Sequence, residues 1–275
     1  MPLPLYHVDA FTDRAFAGNP AAVVLLEAPA PDVWLAAVGA EMNLPETAFC
    51  WPTEDATWGL RWFSPTTEVP LCGHATLAAA HVLWSSGRTE DDTTIQFDTM
   101  SGALYVRHRD GLVELDLPAS PAHQVDEATA AKGRRAAGAP ADSAAPVRGY
   151  ERKLLVDLGD AAAVRAAVPD QYLVAQLAYE GLLITGVGDD GFDYVIRFFA
   201  PKLGIAEDPV TGSAQCAAGP YWRERTGRQE FRCFQASSRR GVLAVGVDDS
   251  RVTVGGSAVT ISEGMLLIDP GDRPC

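Results

Sequence analysis

Two stretches of the chain repeat one another. The first is L-R-W-F-S-P (Leu60 to Pro65) followed by E-V-P-L-C-G-H-A-T-L-A-A-A (Glu68 to Ala80). The second is I-R-F-F-A-P (Ile196 to Pro201) followed by E-D-P-V-T-G-S-A-Q-C-A-A (Glu207 to Ala218). Superposed, Arg61 meets Arg197, Phe63 meets Phe199 and Pro65 meets Pro201. After three extra residues in the second copy, Glu68 meets Glu207, Pro70 meets Pro209, Gly73 meets Gly212 and His74 meets Ser213. Each copy reads as a strand, a turn and a helix start, so two related lobes are expected. A helix start carries unpaired N–H groups and the positive end of the dipole. Two such starts facing one cleft would hold an anion from both sides.

Outward from the repeat, the rest of the chain follows the same plan. Leu5 to Ala10 and Ala21 to Leu26 read as strands, with the turn residues Gly18-Asn19-Pro20 between them. Pro31-Asp32 opens a helical pattern, and Thr47 to Trp51 and Thr57 to Ser64 are apolar strands. Thr94 to Asp98, Gly102 to His108 and Leu112 to Asp116 form an expected meander that turns at Arg109-Asp110-Gly111. An Ala- and Pro-rich stretch then separates the lobes. Strand and helix signals restart at Arg152, Pro169-Asp170, Gly181, Phe192 and Ser213. They end in a second meander from Arg239 to Ile261. The expected boundaries are 1–118 for the first lobe, joined by the tail 263–275, and 119–262 for the second. The order of elements argues for an α+β fold with mixed, mostly antiparallel sheet wrapped on helices. It argues against a doubly wound parallel sheet.

The chain has 275 residues, 47% apolar and 21% charged, which suits two lobes with their own cores. Its formal net charge is −14. An acidic surface lacks the basic footprint that nucleic acid or an anionic membrane requires, so neither is expected as a partner. The N-terminus has no signal-peptide pattern, and no apolar run approaches the ~18 residues of a membrane span. Five scattered cysteines (Cys50, Cys72, Cys216, Cys233, Cys275) show no zinc-type spacing. A reduced, cytoplasmic protein without a structural metal is expected.

Four polar turns stand out as places for chemistry. In N-L-P-E-T-A-F (Asn43 to Phe49), Glu46 sits where a helix gives way to an apolar strand, beside a stiff Pro45. Apolar neighbours desolvate a carboxylate, as a base that takes protons from carbon requires. In L-C-G-H-A-T (Leu71 to Thr76), Gly73 allows close backbone approach and His74 lies at a helix start. Cys72 reads as a buried small residue rather than a base. In A-E-D-P-V-T-G-S-A (Ala206 to Ala214), Asp208 is a carboxylate that the first copy lacks, and Gly212 and Ser213 offer N–H and hydroxyl donors. Asn19 could bind a ligand or make an Asx turn. Each feature also has an ordinary explanation: an exposed carboxylate for Glu46, a helix cap for His74 and for T-G-S.

Together these segments resemble the PhzF family, the phenazine-biosynthesis-like isomerases built on the diaminopimelate epimerase fold. The resemblance rests on F-T-D-R-A-F-A-G-N-P, N-L-P-E-T-A-F, F-S-P-T-T-E-V-P-L-C-G-H-A-T-L-A-A-A and R-F-F-A-P-K-L-G-I-A-E-D-P-V-T-G-S-A, in family order over essentially the whole chain. It implies two pseudo-symmetric lobes, each a mixed sheet curled around a central helix, with the active site in the cleft between them. It also implies a homodimer, a small carboxylate-bearing substrate and no cofactor. By the same resemblance Glu46 is the base that moves a proton between carbons. His74 and Asp208 assist by protonation, and Asn19, Gly73, Gly212 and Ser213 bind substrate. Pro45 replaces a serine common in relatives. Cys72 stands where epimerase cousins place one of two catalytic cysteines, but Thr211 stands opposite it in the repeat. The expected activity is therefore a cofactor-independent carbon-to-carbon proton isomerase. The alternatives are an amino- or hydroxy-acid epimerase or racemase, or a non-catalytic metabolite-binding relative.

Overall fold

A computed structural model describes residues 2–91 and 93–271; Cys275 and the last residues of the expected tail lie outside them. The chain divides into two compact units, one of Met1–Asp116 with Gly255–Cys275, the other of Leu117–Val254.

In the first unit the strands are β1 (Leu3–Ala10), β2 (Asn19–Leu25), β3 (Glu46–Pro52), β4 (Trp58–Phe63), β5 (Glu68–Val69), β6 (Ile95–Thr99), β7 (Gly102–Arg109) and β8 (Leu112–Pro118). Helix α1 (Asp32–Met42) joins β2 to β3, and α2 (Gly73–Ser85) follows β5. β1 pairs antiparallel with β2, β2 parallel with β3, and β3 antiparallel with β4. β4 then pairs parallel with β6, and β6 antiparallel with β7. The two parallel steps need long crossovers, and α1 and α2 supply them. The expected turn at Arg109-Asp110-Gly111 forms: Arg109 pairs with Leu112, with Asp110 and Gly111 both at positive φ.

Helix α2 is the central element. Its Ala- and Leu-rich sequence is buried over nearly its whole circumference, from Gly73 to Trp84 except His81. It packs on β1, β2 and β3. Small residues on every side let the sheet curl closely around it.

The second unit contains β9 (Ala122–His123), α3 (Glu127–Ala136), β10 (Val147–Tyr150), β11 (Lys153–Asp160), α4 (Ala161–Ala166), α5 (Gln171–Ala175), β12 (Gly181–Val187), β13 (Tyr194–Ala200) and β14 (Ile205–Asp208). A 3-10 turn (Gly212–Ala214) leads into α6 (Gln215–Thr226), followed by β15 (Glu230–Gln235), β16 (Gly241–Val247) and β17 (Arg251–Gly256). β11 pairs parallel with β12, β12 antiparallel with β13, β13 parallel with β15, and β15 antiparallel with β16. This is the order of senses found from β2 to β7.

The repeat holds at the level of single residues. Trp62 pairs with Val69 in the first unit, and Phe198 with Asp208 in the second, the same register in both. Arg61 grips Glu68 through two hydrogen bonds of 2.6 and 2.7 Å and lies 5.1 Å over the Phe63 ring. Arg197 grips Glu207 at 2.7 and 2.8 Å and lies 4.9 Å over Phe199. The extra residues of the second copy form a 3-10 turn (Pro201–Leu203) that ends on Gly204 at φ 79°.

Two sequence expectations need correction. The first unit takes back the chain at Gly255, well before residue 263. The reason is β18 (Ala258–Leu266), which pairs with the whole of β1 from Ala10↔Ala258 to Leu3↔Leu266. The helix expected from Ser213 begins at Gln215, after the 3-10 turn.

Candidate active site

In the first unit, Asn19, Glu46, Cys72 and His74 come together. Glu46 opens β3 and pairs with Ala21 of the parallel β2, two residues from Asn19 at the start of that strand. Cys72 is the N-cap of α2, in an extended conformation and without a side-chain capping bond, and His74 follows in the first turn. Cys72 thus gives α2 no side-chain capping bond, and the positive end of the helix dipole lies at Gly73 and His74.

His74 is the hub. Its Nε2 lies 3.2 Å from Glu46 Oε2, and its Nδ1 lies 3.1 Å from Asn19 Nδ2. The Cys72 sulfur is 3.5 Å from Nδ1 and 3.9 Å from Nε2. Exposure is 8% for Glu46, 5% for His74, 6% for Cys72 and none for Asn19. Burial alone would lower the imidazole pKa. The Cys72 sulfur and the Glu46 carboxylate outweigh it and hold the ring well above its ordinary value. The Asn19 amide can serve either protonation state. Its Nδ2 donates to a neutral Nδ1, and a turn of the amide offers its oxygen to an imidazolium. Burial first, and the Glu46 charge second, push the Cys72 thiol up to about 11.

The Gly18-Asn19-Pro20 turn explains how Asn19 is placed. Gly18 has φ 66°, and a Cβ there would run into the Ala10 carbonyl and lie 2.7 Å from Thr12 Cγ2. Only glycine fits, and β2 begins in register on the next residue. Gly73 and Gly212 need no such conformation, since neither is at positive φ.

In the second unit, Asp208, Gly212 and Ser213 lie on one braced turn. Thr211 Oγ1 donates to Asp208 Oδ2 at 2.5 Å. Gln235, fully buried at the end of β15, donates to the Asp208 carbonyl at 2.8 Å and to Thr211 Oγ1 at 3.2 Å. Its own oxygen accepts from the Thr211 N–H at 2.8 Å. Ser237 closes the brace by donating to the Pro209 carbonyl at 2.6 Å. Asp208 is 9% exposed, Gly212 is buried and Ser213 half-buried.

Sequence reasoning missed Gln235 and Ser237, while Cys72 is buried as expected. One signal was available. Phe231, Cys233 and Gln235 fall on one face of β15 by period two, so Gln235 had to be buried and therefore bonded.

Fold and site define a class: α+β proteins of duplicated half-sheets around central helices, with carboxylate and imidazole groups held at the loop and helix-start ends of the strands. The chain belongs to the phenazine biosynthesis-like family, PhzC-PhzF, whose profile matches residues 8–264. It is 39% identical to an uncharacterized isomerase of Halalkalibacterium halodurans, over 98% of this chain and 100% of that one. A PhzF-family crystal structure from Enterococcus faecalis superposes with a TM-score of 0.87 at 35% identity, covering 98% and 100% of the two chains. A probable proline racemase from Agrobacterium radiobacter has a TM-score of 0.62 at 16% identity over 98% and 94%, a likeness of fold. Family membership supports isomerase activity. No helix among the described residues is long and apolar enough to cross a membrane.

Proposed function

We propose that the protein moves a proton between two carbons of a small carboxylated metabolite, with Glu46 as the base and no cofactor. The observation that carries this reading is the buried Glu46–His74 pair, 3.2 Å across, at the uncapped start of α2. A carbon-bound proton is a poor acid, so its removal requires a desolvated base and fixed donors for the charge that develops.

In the proposed reaction Glu46 Oε2 takes the proton from one carbon. The C–H electron pair moves into the adjoining unsaturated system. Glu46, now a carboxylic acid, returns the proton to a second carbon, and the base is regenerated. The His74 N–H holds the carboxylate in place during this shuttle. The Gly73 and His74 amides and the dipole of α2 meet the negative charge of the substrate. On the family resemblance, Asp208 relays or orients a proton, and Asn19, Gly212 and Ser213 hold substrate. The brace from Gln235 keeps the Asp208 turn in one conformation. The working form is proposed to be a cytoplasmic homodimer.

A second reading, an epimerase or racemase, is favoured by the fold it shares with a probable proline racemase. A thiol base is disfavoured by the Cys72 pKa of about 11. The test is proton exchange in heavy water with a panel of small unsaturated and amino carboxylic acids, followed by NMR. Wild type is expected to place deuterium at a carbon other than the α-carbon of an amino acid, with a change of double-bond position. Glu46→Gln is expected to stay folded and lose the exchange. Full exchange in that variant refutes the assignment of the base.

A further inference from the structure

We propose that Lys153 is an anion-binding residue of the second unit, and that its ammonium takes a carboxylate of a small organic acid. The inference rests on the reading of a carboxylated substrate for its purpose and on side-chain geometry for its substance. It concerns binding alone, so it stands whether or not Glu46 is the base.

The sheet register puts Lys153 on the same face as Asp208. Lys153 opens β11 and pairs with Gly181 of the parallel β12. Asp208 of β14 pairs with Phe198 of β13. The Phe198 ring leans away from Asp208 and across Gly181, where its Cζ would lie 2.3 Å from a Cβ at that position. Lys153 reaches the same ring from the other side, its Nζ 5.9 Å from the ring centroid. Strand alternation puts Asp157 on this face too, and Asp157 accepts from Tyr221 of α6 at 2.7 Å. The face is therefore the one that α6 covers. Cys216, in the first turn of that helix, acts on the charge of Lys153.

The ammonium is left unsatisfied by the protein. Lys153 is half-buried, and among the described residues it makes no hydrogen bond and no ion pair. The chain's two other lysines differ: Lys202 donates to the Leu177 and Tyr179 carbonyls, and Lys132 is exposed. The acids next to Lys153 are engaged or turned outward, since Glu180 accepts from Arg152 at 2.6 Å and Glu151 is exposed. Burial holds the amine below its ordinary pKa, against the opposing pull of Cys216. A desolvated cation without a counter-ion is costly, and a ring face is a weak substitute for one. An incoming carboxylate supplies both the charge and the hydrogen bonds that are missing. The fold itself has no need of this cation. Ala21 pairs with Glu46 in the first unit as Lys153 pairs with Gly181 in the second, so the matching place there is an alanine. The duplicated corner thus carries an acid in one unit and a base in the other.

The test uses the full chain with its amines converted to ¹³C-dimethylamines, which keep their charge. The three lysines give three methyl resonances beside that of the N-terminal amine, and Lys153→Arg identifies the one from Lys153. The probes are acetate, crotonate and succinate at constant ionic strength, with inorganic phosphate as the contrast. The Lys153 resonance is expected to titrate below those of Lys132 and Lys202. A saturating carboxylate is expected to raise its proton affinity about tenfold and to leave the other two unmoved. Calorimetry on unlabelled protein is expected to show the same acids binding about tenfold more weakly to Lys153→Met, and near wild-type strength to Lys153→Arg, which keeps a cation. No response of the Lys153 resonance to any of the acids overturns the proposal, as do equal responses at all three lysines or a response to phosphate alone. Undiminished binding to Lys153→Met also overturns it. Should that variant fail to fold, the wild-type resonance decides. Proton exchange in heavy water is read separately: its absence sinks the proposed reaction and leaves the binding result untouched.

Discussion

Gln235→Leu removes the group that holds the Asp208 turn while keeping the side chain's size. The glutamine is fully buried and makes three hydrogen bonds to the turn. Leucine would leave the Thr211 N–H without its Gln235 acceptor in a dry environment. Thr211 Oγ1 keeps its bond to the Asp208 carboxylate and is not orphaned. Each stranded buried group costs about 1–3 kcal/mol. A buried leucine recovers about 1 kcal/mol relative to an amide that must be desolvated. The net loss is therefore about 1 kcal/mol, a measurable share of a typical domain's stability. Urea unfolding should show a lower midpoint with an unchanged slope. Hydrogen exchange over peptides 208–214 should show the Thr211 amide losing about 100-fold protection, or about 2.8 kcal/mol. An unchanged urea midpoint with Thr211 still protected would refute the reasoning. The Ser237–Pro209 bond would then be the brace that matters.

The remaining predictions follow from other parts of the structure. Arg197→Met should cost more than Arg61→Met. Arg197 also donates to the Ala167 carbonyl at 2.8 Å, while the additional partner of Arg61 is the exposed Asp32. About 3 kcal/mol against about 1–2 kcal/mol is expected, read from urea midpoints, and equal losses would count against it. Gly18→Ala should destabilise by about 2 kcal/mol or more through its positive φ and the collision with Ala10. The cross-peak between Asn19 and His74 in NMR spectra should shift with it. An unchanged melting temperature would show that the turn rearranges freely. His74 carries a raised pKa in the fold, so the folded state holds a proton that the unfolded state releases above 6.5. Its contribution is complete below that pH and is lost as pH rises through the folded-state value. Stability should fall as pH rises above 6.5, less steeply in Glu46→Gln. A flat or rising profile in wild type would contradict the pairing.

The sequence made the fold legible where its signals were redundant. Two copies of R-x-F-x-P, each followed by E-x-P and a glycine-led helix start after a gap three residues longer in the second, predict the same strand register twice, and the register is the same. The turns at Gly18-Asn19 and Asp110-Gly111 were readable because few residues tolerate their backbone. The return of β18 to β1 was harder to read. Its polar, half-exposed sequence looks like the end of a meander, and only pairing with a distant strand settles which unit it joins. In the candidate site, single residues were visible but their partnerships were not. Nothing local tells Cys72 that its neighbour is Glu46, or Gln235 that it must hold Asp208.

The register also shows how a duplicated half-sheet has diverged chemically. Thr47 pairs with Phe63, and Leu182 with Phe199, so the residue before each strand match, Glu46 in one unit, is Gly181 in the other. The same comparison sets Asp208 against Val69. Each unit has thus kept one buried carboxylate among these positions, and never at the same place in the repeat. The second unit could not carry both, because the Phe198 ring already fills the space beside Gly181 that a side chain there would need. In the first unit Trp62 stands in the place of Phe198 and pairs with Ala48, and the start of β3 carries Glu46. The helix starts have diverged in the same way. One presents His74 to Glu46 with Cys72 against the same ring, and the other presents Thr211 to Asp208. The divergence is therefore chemical as well as structural: each unit holds its own acid beside its own set of donors, although both inherit the same strand register.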